Sequence, residues 1–426
     1  MPRPVISKEQ READERHMAR CLELARRFEG RTAPNPIVGC VIVDRWGKVL
    51  AEGAHAKAGT AHAEIVALAN AKKAGAKVAG ATLYVNLEPC NHTGRTGPCA
   101  PVVRDSGIER VVIGMEDPVP GHGGGLELLR RAKLEVHTGV LRAQCERANL
   151  AWTTFVTHRR PAFSLKAAIT LDGKIATVTG HSKYVTGEAA RADVMRLRDT
   201  HDAIMVGIGT VLADDPWLTV RGVKGGRDPV RVILDSQLRT PPDAHVLART
   251  ARTIIVCAPA APAKREKALV SSRHAGTPVR GKGGTAPSEK GSATAREQDE
   301  SSAREAGEFA ARGNRADREP GVEVWRVPTH ANGRLDILEL GKRLAAENIM
   351  SVLVEGGGEV HAYMIEKRLC DLVYLYIAPK VIGGPAKSWV GGKGLEHMGS
   401  AVTFVFDEEI EDFAGDLRLT GRLASE

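Results

Sequence analysis

Residues 8–30 carry Met18, Cys21, Leu22, Leu24 and Ala25 at helical spacing among charged neighbours, which predicts an amphipathic opening helix. Thr32-Ala33-Pro34-Asn35-Pro36 then forces an extended turn. Residues 37–43 are β-branched and read as a buried strand, with 48–53 as its hairpin partner across Trp46-Gly47. The pattern continues with a helix from Ala63 to Lys73, a strand over 82–86, a turn at Glu88-Pro89 and a strand over 110–114. A helix over 126–132 and a strand over 134–137 follow. Strands and helices in this order predict a three-layer α/β sandwich of about 145 residues.

Residues 141–157 read as one amphipathic helix, ended by Arg159-Arg160-Pro161, and the domain boundary is placed there: 1–158 and 159–426. The second half keeps an α/β rhythm. Strands are expected at 162–169, 203–207, 230–234 and 252–257, a helix at 188–198, and a strand–helix–strand–helix run over 322–367. Its second strand delivers Gly356-Gly357-Gly358 to a helix start, where bare backbone amides form either a phosphate loop or a tight turn. Residues 261–320 are rich in Ala, Gly, Ser, Pro, Arg and Glu, with Phe309 as the one aromatic and no sustained apolar period. Such a stretch buries too little apolar surface to offset chain entropy, so a disordered insertion is expected, with a transient helix over 285–312. It reads as a solvated insertion, with a partner-binding segment as the other reading.

Hydrophobic residues make up 42% of the chain, ordinary for a globular protein. The net charge of +8 invites a nucleic-acid reading, but 60 basic residues face 52 acidic ones, so the excess is thinly spread. A solvated surface or steering of an anionic small molecule accounts for it equally well. Seven widely spaced cysteines argue against a disulfide framework and for a reducing cytoplasm. The polar, charged opening is no signal peptide, and no run of about 18 apolar residues is present to span a membrane.

The chemistry concentrates in residues 62–99. His62, Cys90 and Cys99 can hold zinc through three protein ligands and leave the fourth tetrahedral position to water. Glu64 lies two residues from the histidine, within reach of that water without being a ligand. This is the arrangement of zinc-dependent base deaminases, in which water attacks an amidine carbon and a glutamate carries protons. Eight residues separate the cysteines instead of the usual two, and their polar, turn-forming character predicts a loop at the mouth of the site.

His-Ala-Glu followed by Glu-Pro-Cys-x-His-x-Gly-Arg-Thr-x-Pro-Cys resembles the deaminase domain of the bifunctional riboflavin-biosynthesis deaminase/reductases. Gly97 stands where that family usually has proline. The resemblance implies a cytidine-deaminase-like sandwich with one zinc per chain, and places Asn35, His55 and His92 against the pyrimidine. The family's Asp-Pro-Asn-Pro…Gly-Arg-Gly is altered here over residues 117–125, so no substrate contact is assigned to that loop.

The likeness continues to Leu419. Ser-Leu-Lys-x-Ala-x-Thr-Leu-Asp-Gly-Lys, Gly-Ile-Gly-Thr-Val-Leu-Ala-Asp-Asp-Pro-x-Leu-Thr-Val-Arg and Val-Glu-Gly-Gly are similar to the same family's reductase domain. That domain has a dihydrofolate-reductase-like α/β fold and uses NADPH. By motif position, Ala168, Tyr184, Thr210, Asp214, Ser236, Gly357 and Gly358 would hold NADPH. Lys166, Ser182, Arg198, Leu218, Arg221 and Glu355 would face substrate. Tyr184 replaces the family's tryptophan. Which of Lys166 and Asp214 moves the reductase proton is left open.

The implied chemistry is deamination of a ribosylaminopyrimidinone 5′-phosphate, then hydride transfer that turns the ribosyl into a ribityl chain. A homo-oligomer, dimer or tetramer, is expected, without nucleic acid or membrane partners. Two alternatives are weighed. A nucleic-acid or nucleoside base deaminase would share the zinc site but need no Asp-Asp-Pro half. A non-catalytic module would have lost Glu64 or a ligand.

Overall fold

The computed structural model describes residues 7–94, 96–119, 123–271 and 320–424. The chain divides into two compact units, Met1–Ala162 and Phe163–Glu426, against the 158/159 boundary expected from the sequence.

The first unit opens with α1 (Lys8–Arg26), capped by the Ser7 hydroxyl on the Gln10 amide. There follow β1 (Gly39–Val43), β2 (Val49–Ala54), α2 (Ala63–Lys73), β3 (Thr82–Leu87), α3 (Cys99–Asp105) and β4 (Arg110–Met115). The unit ends in α4 (Gly125–Arg131), β5 (Glu135–Thr138), α5 (Arg142–Ala148) and α6 (Leu150–His158). The strands form one sheet in the order β2-β1-β3-β4-β5, antiparallel across β2-β1-β3 and parallel across β3-β4-β5. A side chain at Gly53 on β2 would stand 2.3 Å from the Ala63 carbonyl oxygen. Glycine there lets the start of α2, which carries the metal-ligand candidate and its glutamate, lie directly on the sheet. The single helix expected over 141–157 is two helices broken at Asn149. Its side chain accepts from the Ile37 amide at 2.9 Å and donates to the Ile37 carbonyl at 3.2 Å. That interaction spans 112 residues and leaves no trace in local periodicity.

The second unit contains β6 (Ala162–Thr170), β7 (Lys174–Ala176), α7 (Glu188–Thr200), β8 (Ala203–Gly207), α8 (Ile208–Asp214), β9 (Val230–Leu234) and β10 (Thr253–Cys257). Next come α9 (Ala263–Val270), β11 (Val322–Arg326), α10 (Ile337–Ala346), β12 (Ser351–Val354) and α11 (Gly358–Glu366). It closes with β13 (Leu372–Ala378), β14 (Lys387–Ser388), β15 (Phe404–Phe406), β16 (Glu411–Phe413) and β17 (Asp416–Leu423). Among the described residues the main sheet runs β11-β10-β9-β8-β12-β6-β13-β17-β15, with β16 added to β17. From β11 to β12 neighbouring strands are parallel, while β13, β17 and β15 pair antiparallel. Two apolar clusters flank the parallel part, one built on Phe163, Met205 and Leu340, the other on Ile204, Val211 and Leu269.

The insertion expected to be disordered over 261–320 needs correction at its start. Residues 263–270 are helical, because Leu269 is buried against the second cluster and Glu266 pairs with Arg326 at 2.6 Å. One buried leucine among lysines and arginines is too sparse a pattern for periodicity to reveal. Residues 272–319, including the transient helix expected over 285–312, lie outside the described residues.

Candidate functional site

His62 occupies the cap position of α2, Cys90 follows β3, and Cys99 opens α3, so a helix start and a strand end converge. His62 Nδ1 stands 3.5 Å from Cys90 Sγ and 3.3 Å from Cys99 Sγ. All three donor atoms lie within 4.8 Å of one another. Nitrogen and sulfur ligands at zinc bond lengths on a common tetrahedral centre stand roughly 3.5 Å apart, so this donor set fits zinc without rearrangement. The Cys99 amide donates to Cys90 Sγ at 3.4 Å. Hydrogen bonding from Cys99, then from His62, pulls the Cys90 thiol down to about 4, while the Cys99 thiol is pushed up.

Glu64 lies in the first turn of α2 and is only 3% exposed. Burial pushes its carboxyl up to about 7, an environment suited to a group that must accept and return a proton. His62 Nε2 is 3.2 Å from Thr96 Oγ1. With Nδ1 turned to the sulfurs, Nε2 carries the hydrogen and donates to Thr96, which fixes the ring's tautomer and plane.

The adjoining wall comes from the turn before β1 and the loop after β2. His55 Nδ1 is 3.2 Å from the Ala61 carbonyl, and its Nε2 is 3.0 Å from Asn35 Nδ2. The ring thus donates through Nδ1 and accepts from Asn35, and burial lowers its pKa and keeps it neutral. It meets His62 edge to face at 5.2 Å between centroids. His92 is half-buried in the loop between the cysteines. Asn35, His55 and the zinc-type cluster are thus brought together.

Three supporting residues escaped the sequence reading. Thr96 is one and Asn149, which clasps Ile37 two residues from Asn35, is another. Glu88, read as a turn residue, accepts from the amides of Asp117, Gly124 and Leu126 at 3.1, 3.0 and 2.9 Å. Its Glu-Pro-Cys position was a signal, but three amides supplied 29 to 38 residues away were not foreseeable.

In the second unit Glu355 follows β12 and forms a two-pronged ion pair with Arg198 of α7, at 2.7 and 3.0 Å. Lys166 of β6 brings its Nζ to 4.0 Å from the same carboxylate and lies over the Tyr376 ring at 5.7 Å. Against the upward push of burial, Arg198 and Lys166 hold the Glu355 carboxyl down to about 2, and burial lowers the Lys166 pKa. Gly357 and Thr210 also meet: a Cβ on Gly357 would lie 4.0 Å from Thr210 Oγ1. A Cβ on Gly358 would stand 2.5 Å from the Ser388 carbonyl oxygen, so glycine is required where α11 begins. Ala168 pairs with Tyr376 across β6 and β13.

The remaining candidates are more dispersed. Tyr184 is 66% exposed, with the Arg191 guanidinium stacked on it at 4.3 Å. Asp214 ends α8 exposed, whereas its neighbour Asp215 holds His245. The Leu218 side chain is buried in the apolar cluster, Arg221 is exposed, Ser182 is half-exposed, and Ser236 follows β9. Arg198 is thus the arginine built into the cluster, and Arg221 stands in solvent.

Two family profiles match. The cytidine and deoxycytidylate deaminase zinc-binding region covers residues 11–115, and the RibD C-terminal domain covers 161–417. The riboflavin biosynthesis protein RibD of Bacillus amyloliquefaciens is 39% identical over 409 residues, covering 96% of this chain and 95% of that protein. RibD of Escherichia coli is 34% identical over 410 residues, 93% of this chain and 95% of its own length. Among solved structures, a diaminohydroxyphosphoribosylaminopyrimidine deaminase/5-amino-6-(5-phosphoribosylamino)uracil reductase from Thermotoga maritima superposes with a TM-score of 0.74. It is 32% identical, with 97% of this chain and 99% of that one covered.

Proposed function

The chain belongs to the RibD family of bifunctional riboflavin-biosynthesis enzymes, a zinc-type deaminase joined to a reductase, and from that premise we propose how its residues divide the work. His62, Cys90 and Cys99 hold one zinc ion, and the observation that carries this is the convergence of one imidazole nitrogen and two sulfurs beside a buried glutamate. When bound, zinc supplies a Lewis acid that brings the ionisation of water toward neutral pH. Glu64 takes the proton of the attacking water, delivers it to the ring nitrogen, and serves the ammonia that leaves as the carbon–nitrogen bond breaks. Asn35, His55 and His92 orient the pyrimidine, with His55 locked as a neutral acceptor on the Asn35 side.

In the reductase, NADPH supplies the hydride. Thr210, Gly357 and Gly358 would hold the cofactor through a hydroxyl and bare backbone amides, together with Ala168, Tyr184, Asp214 and Ser236. Lys166, Ser182, Arg198, Leu218, Arg221 and Glu355 face the phosphorylated substrate, Leu218 through its backbone because its side chain is in the core. The Lys166–Glu355–Arg198 cluster supports this reading, since buried charges so arranged are costly without a use.

Homo-oligomerisation is supported by exposed Val405, Phe406, Ile410 and Leu417 at the β15–β17 end of the sheet. A cytoplasmic location is supported by seven cysteines, two of them in the zinc-type cluster and none in a disulfide. Among the described residues no helix is long and apolar enough to cross a membrane.

Cys90→Ser tests the ligand set. Zinc content measured on the purified chain is expected to fall below one per chain and deamination to be lost, while NADPH oxidation on pre-deaminated substrate persists. Full zinc in that variant would refute the assignment. Thr96 gives a finer test, read by competition with a chelator. Thr96→Val is expected to weaken zinc retention by about 10-fold or more, as loss of a ligand's outer hydrogen bond does, and Thr96→Ser to restore it. Equal affinity in both variants would mean that the Thr96 contact does not orient His62.

A further inference from the structure

Tyr376 of β13 is a fully buried phenol that none of the roles above uses. It stands opposite Ala168 on β6, and Tyr374 stands opposite Lys166. Side chains two apart on a strand share a face, so Lys166, Ala168, Tyr374 and Tyr376 all project to one side of the sheet. Helix α7 covers that side. Its Ala190, Val194 and Leu197 form one apolar cluster with Tyr376, and Ala168 and Tyr374 pack against it. The same helix supplies Arg198, the partner of Glu355.

A buried phenol needs a partner for its hydroxyl. Tyr376 donates to the Asp193 carboxylate of α7 at 2.6 Å. Asp193 is itself buried and is held by Arg418 of β17, whose guanidinium also pairs with Glu411 of β16. The ring is thereby fixed at its hydroxyl end by a carboxylate with its own anchor. A hydrogen bond to a carboxylate also pushes electron density back into the ring, which makes the ring face a better seat for a cation.

Lys166 is the cation on that face. Its Nζ lies 5.7 Å from the centroid of the Tyr376 ring, whereas the Tyr374 ring carries the Arg418 guanidinium at 5.6 Å. Glu355 comes only to 4.0 Å from the lysine, because Arg198 takes both carboxylate oxygens at 2.7 and 3.0 Å. At that distance the ammonium is attracted to Glu355 without donating a hydrogen bond to it. Burial and Arg198 favour the neutral amine, and Glu355 favours the ammonium. His361 of α11 also faces the lysine, but burial lowers its pKa, so it adds no charge near neutral pH. The ring face is the further group that favours the charged form.

We propose that Tyr376 is a positioning residue of the reductase: its ring face seats the Lys166 ammonium before the substrate, and Asp193, anchored by Arg418, holds the ring there. This rests on the reading that Lys166 and Glu355 face substrate, and it adds the groups that keep the lysine charged and in place. Tyr376 and Asp193 act through the lysine, not on the substrate.

The test is the pH profile of kcat/KM for reduction of pre-deaminated substrate by the full-length chain, followed as NADPH oxidation. NADPH binding measured by calorimetry reports that the reductase unit of each variant is folded. Tyr376→Phe keeps the ring and frees it from Asp193, and is expected to lower kcat/KM about 3–10-fold at neutral pH. Phenylalanines carrying one, two and three ring fluorines at position 376 keep nearly the same shape but drain the ring face of electron density. Across that series the alkaline limb is expected to move stepwise to lower pH, by about 0.5–1.5 units in all, because a poorer face favours the ammonium less. Tyr376→Leu should shift the limb the same way and lower kcat/KM roughly 10–100-fold. A limb that stays in place across the fluorine series, with Lys166→Met inactive, overturns the role of the ring. Tyr376→Phe equal to wild type overturns the part given to Asp193. Lys166→Met within a few-fold of wild type overturns instead the reading that this cluster faces substrate.

Discussion

Glu64→Gln is expected to lower kcat for pyrimidine deamination by ~10²–10⁴-fold while leaving zinc content and NADPH-dependent reduction unchanged. The substitution keeps the side chain's length and shape, so the first turn of α2 and its neighbour His62 should not move. What it removes is the ability to hold a proton between two acceptors. Glu64 is buried, its carboxyl is raised toward neutrality, and it accepts from the Cys99 thiol. Glutamine can still hydrogen-bond water but cannot carry its proton to the ring nitrogen. The loss should therefore fall on kcat, with KM nearly constant. Activity within a few-fold of wild type, with zinc retained, would mean that another group carries the proton. Reduction of pre-deaminated substrate is the internal control, because Glu64 belongs to the other compact unit.

This half was legible in the sequence because its chemistry is local. His62 and Glu64 share one helix start, and Cys90 and Cys99 bracket one loop, so spacing forms two pairs, which the packing of α2 and the end of β3 bring together. Helix α2 was expected over the residues where it stands, since its Ala-rich sequence has no competing signal. What spacing could not reveal is the set of long-range hydrogen bonds that hold the pieces. Asn149 interrupts a run with good helical periodicity because its side chain is committed to Ile37. Glu88 looks like a turn residue until its three amide partners are seen.

The reductase half was less legible for the same reason. Lys166, Arg198 and Glu355 are separated by as many as 157 residues, and only the order of β6, α7 and β12 brings them together. Most arginines on a helix rich in basic residues are surface groups, yet the Arg198 side chain is only 12% exposed. The antiparallel end of the sheet, β13 to β17, was not read from the sequence. β15 and β16 have three residues each, too few for alternation to separate them from loop, and without them β17 has no visible hairpin partner next to it in sequence.

The largest effect in that half should come from Glu355→Gln. The variant keeps the volume of the side chain and deletes its charge, leaving the Lys166 ammonium and the Arg198 guanidinium buried without their shared partner. Removing one member of a buried ion pair costs about 3–5 kcal/mol, because the uncompensated charge stays out of water. The two cations now repel, so Lys166, whose pKa burial already lowers, loses its proton more readily. Reduction should fall by roughly 10²-fold or more, since the lysine no longer has a fixed charge state or position. Deamination should be unaffected. The pH dependence gives the sharper reading. In the folded chain the Glu355 carboxyl is held down to about 2, against an ordinary value of 4.5. Its stabilisation is therefore complete above pH 4.5 and drains away as the pH falls through that value toward 2. Urea unfolding of wild type and variant should show a constant gap from pH 7 to 5 that narrows steadily below. A gap that stays constant down to pH 3 would place the stabilising effect of Glu355 in its packing, not in its charge.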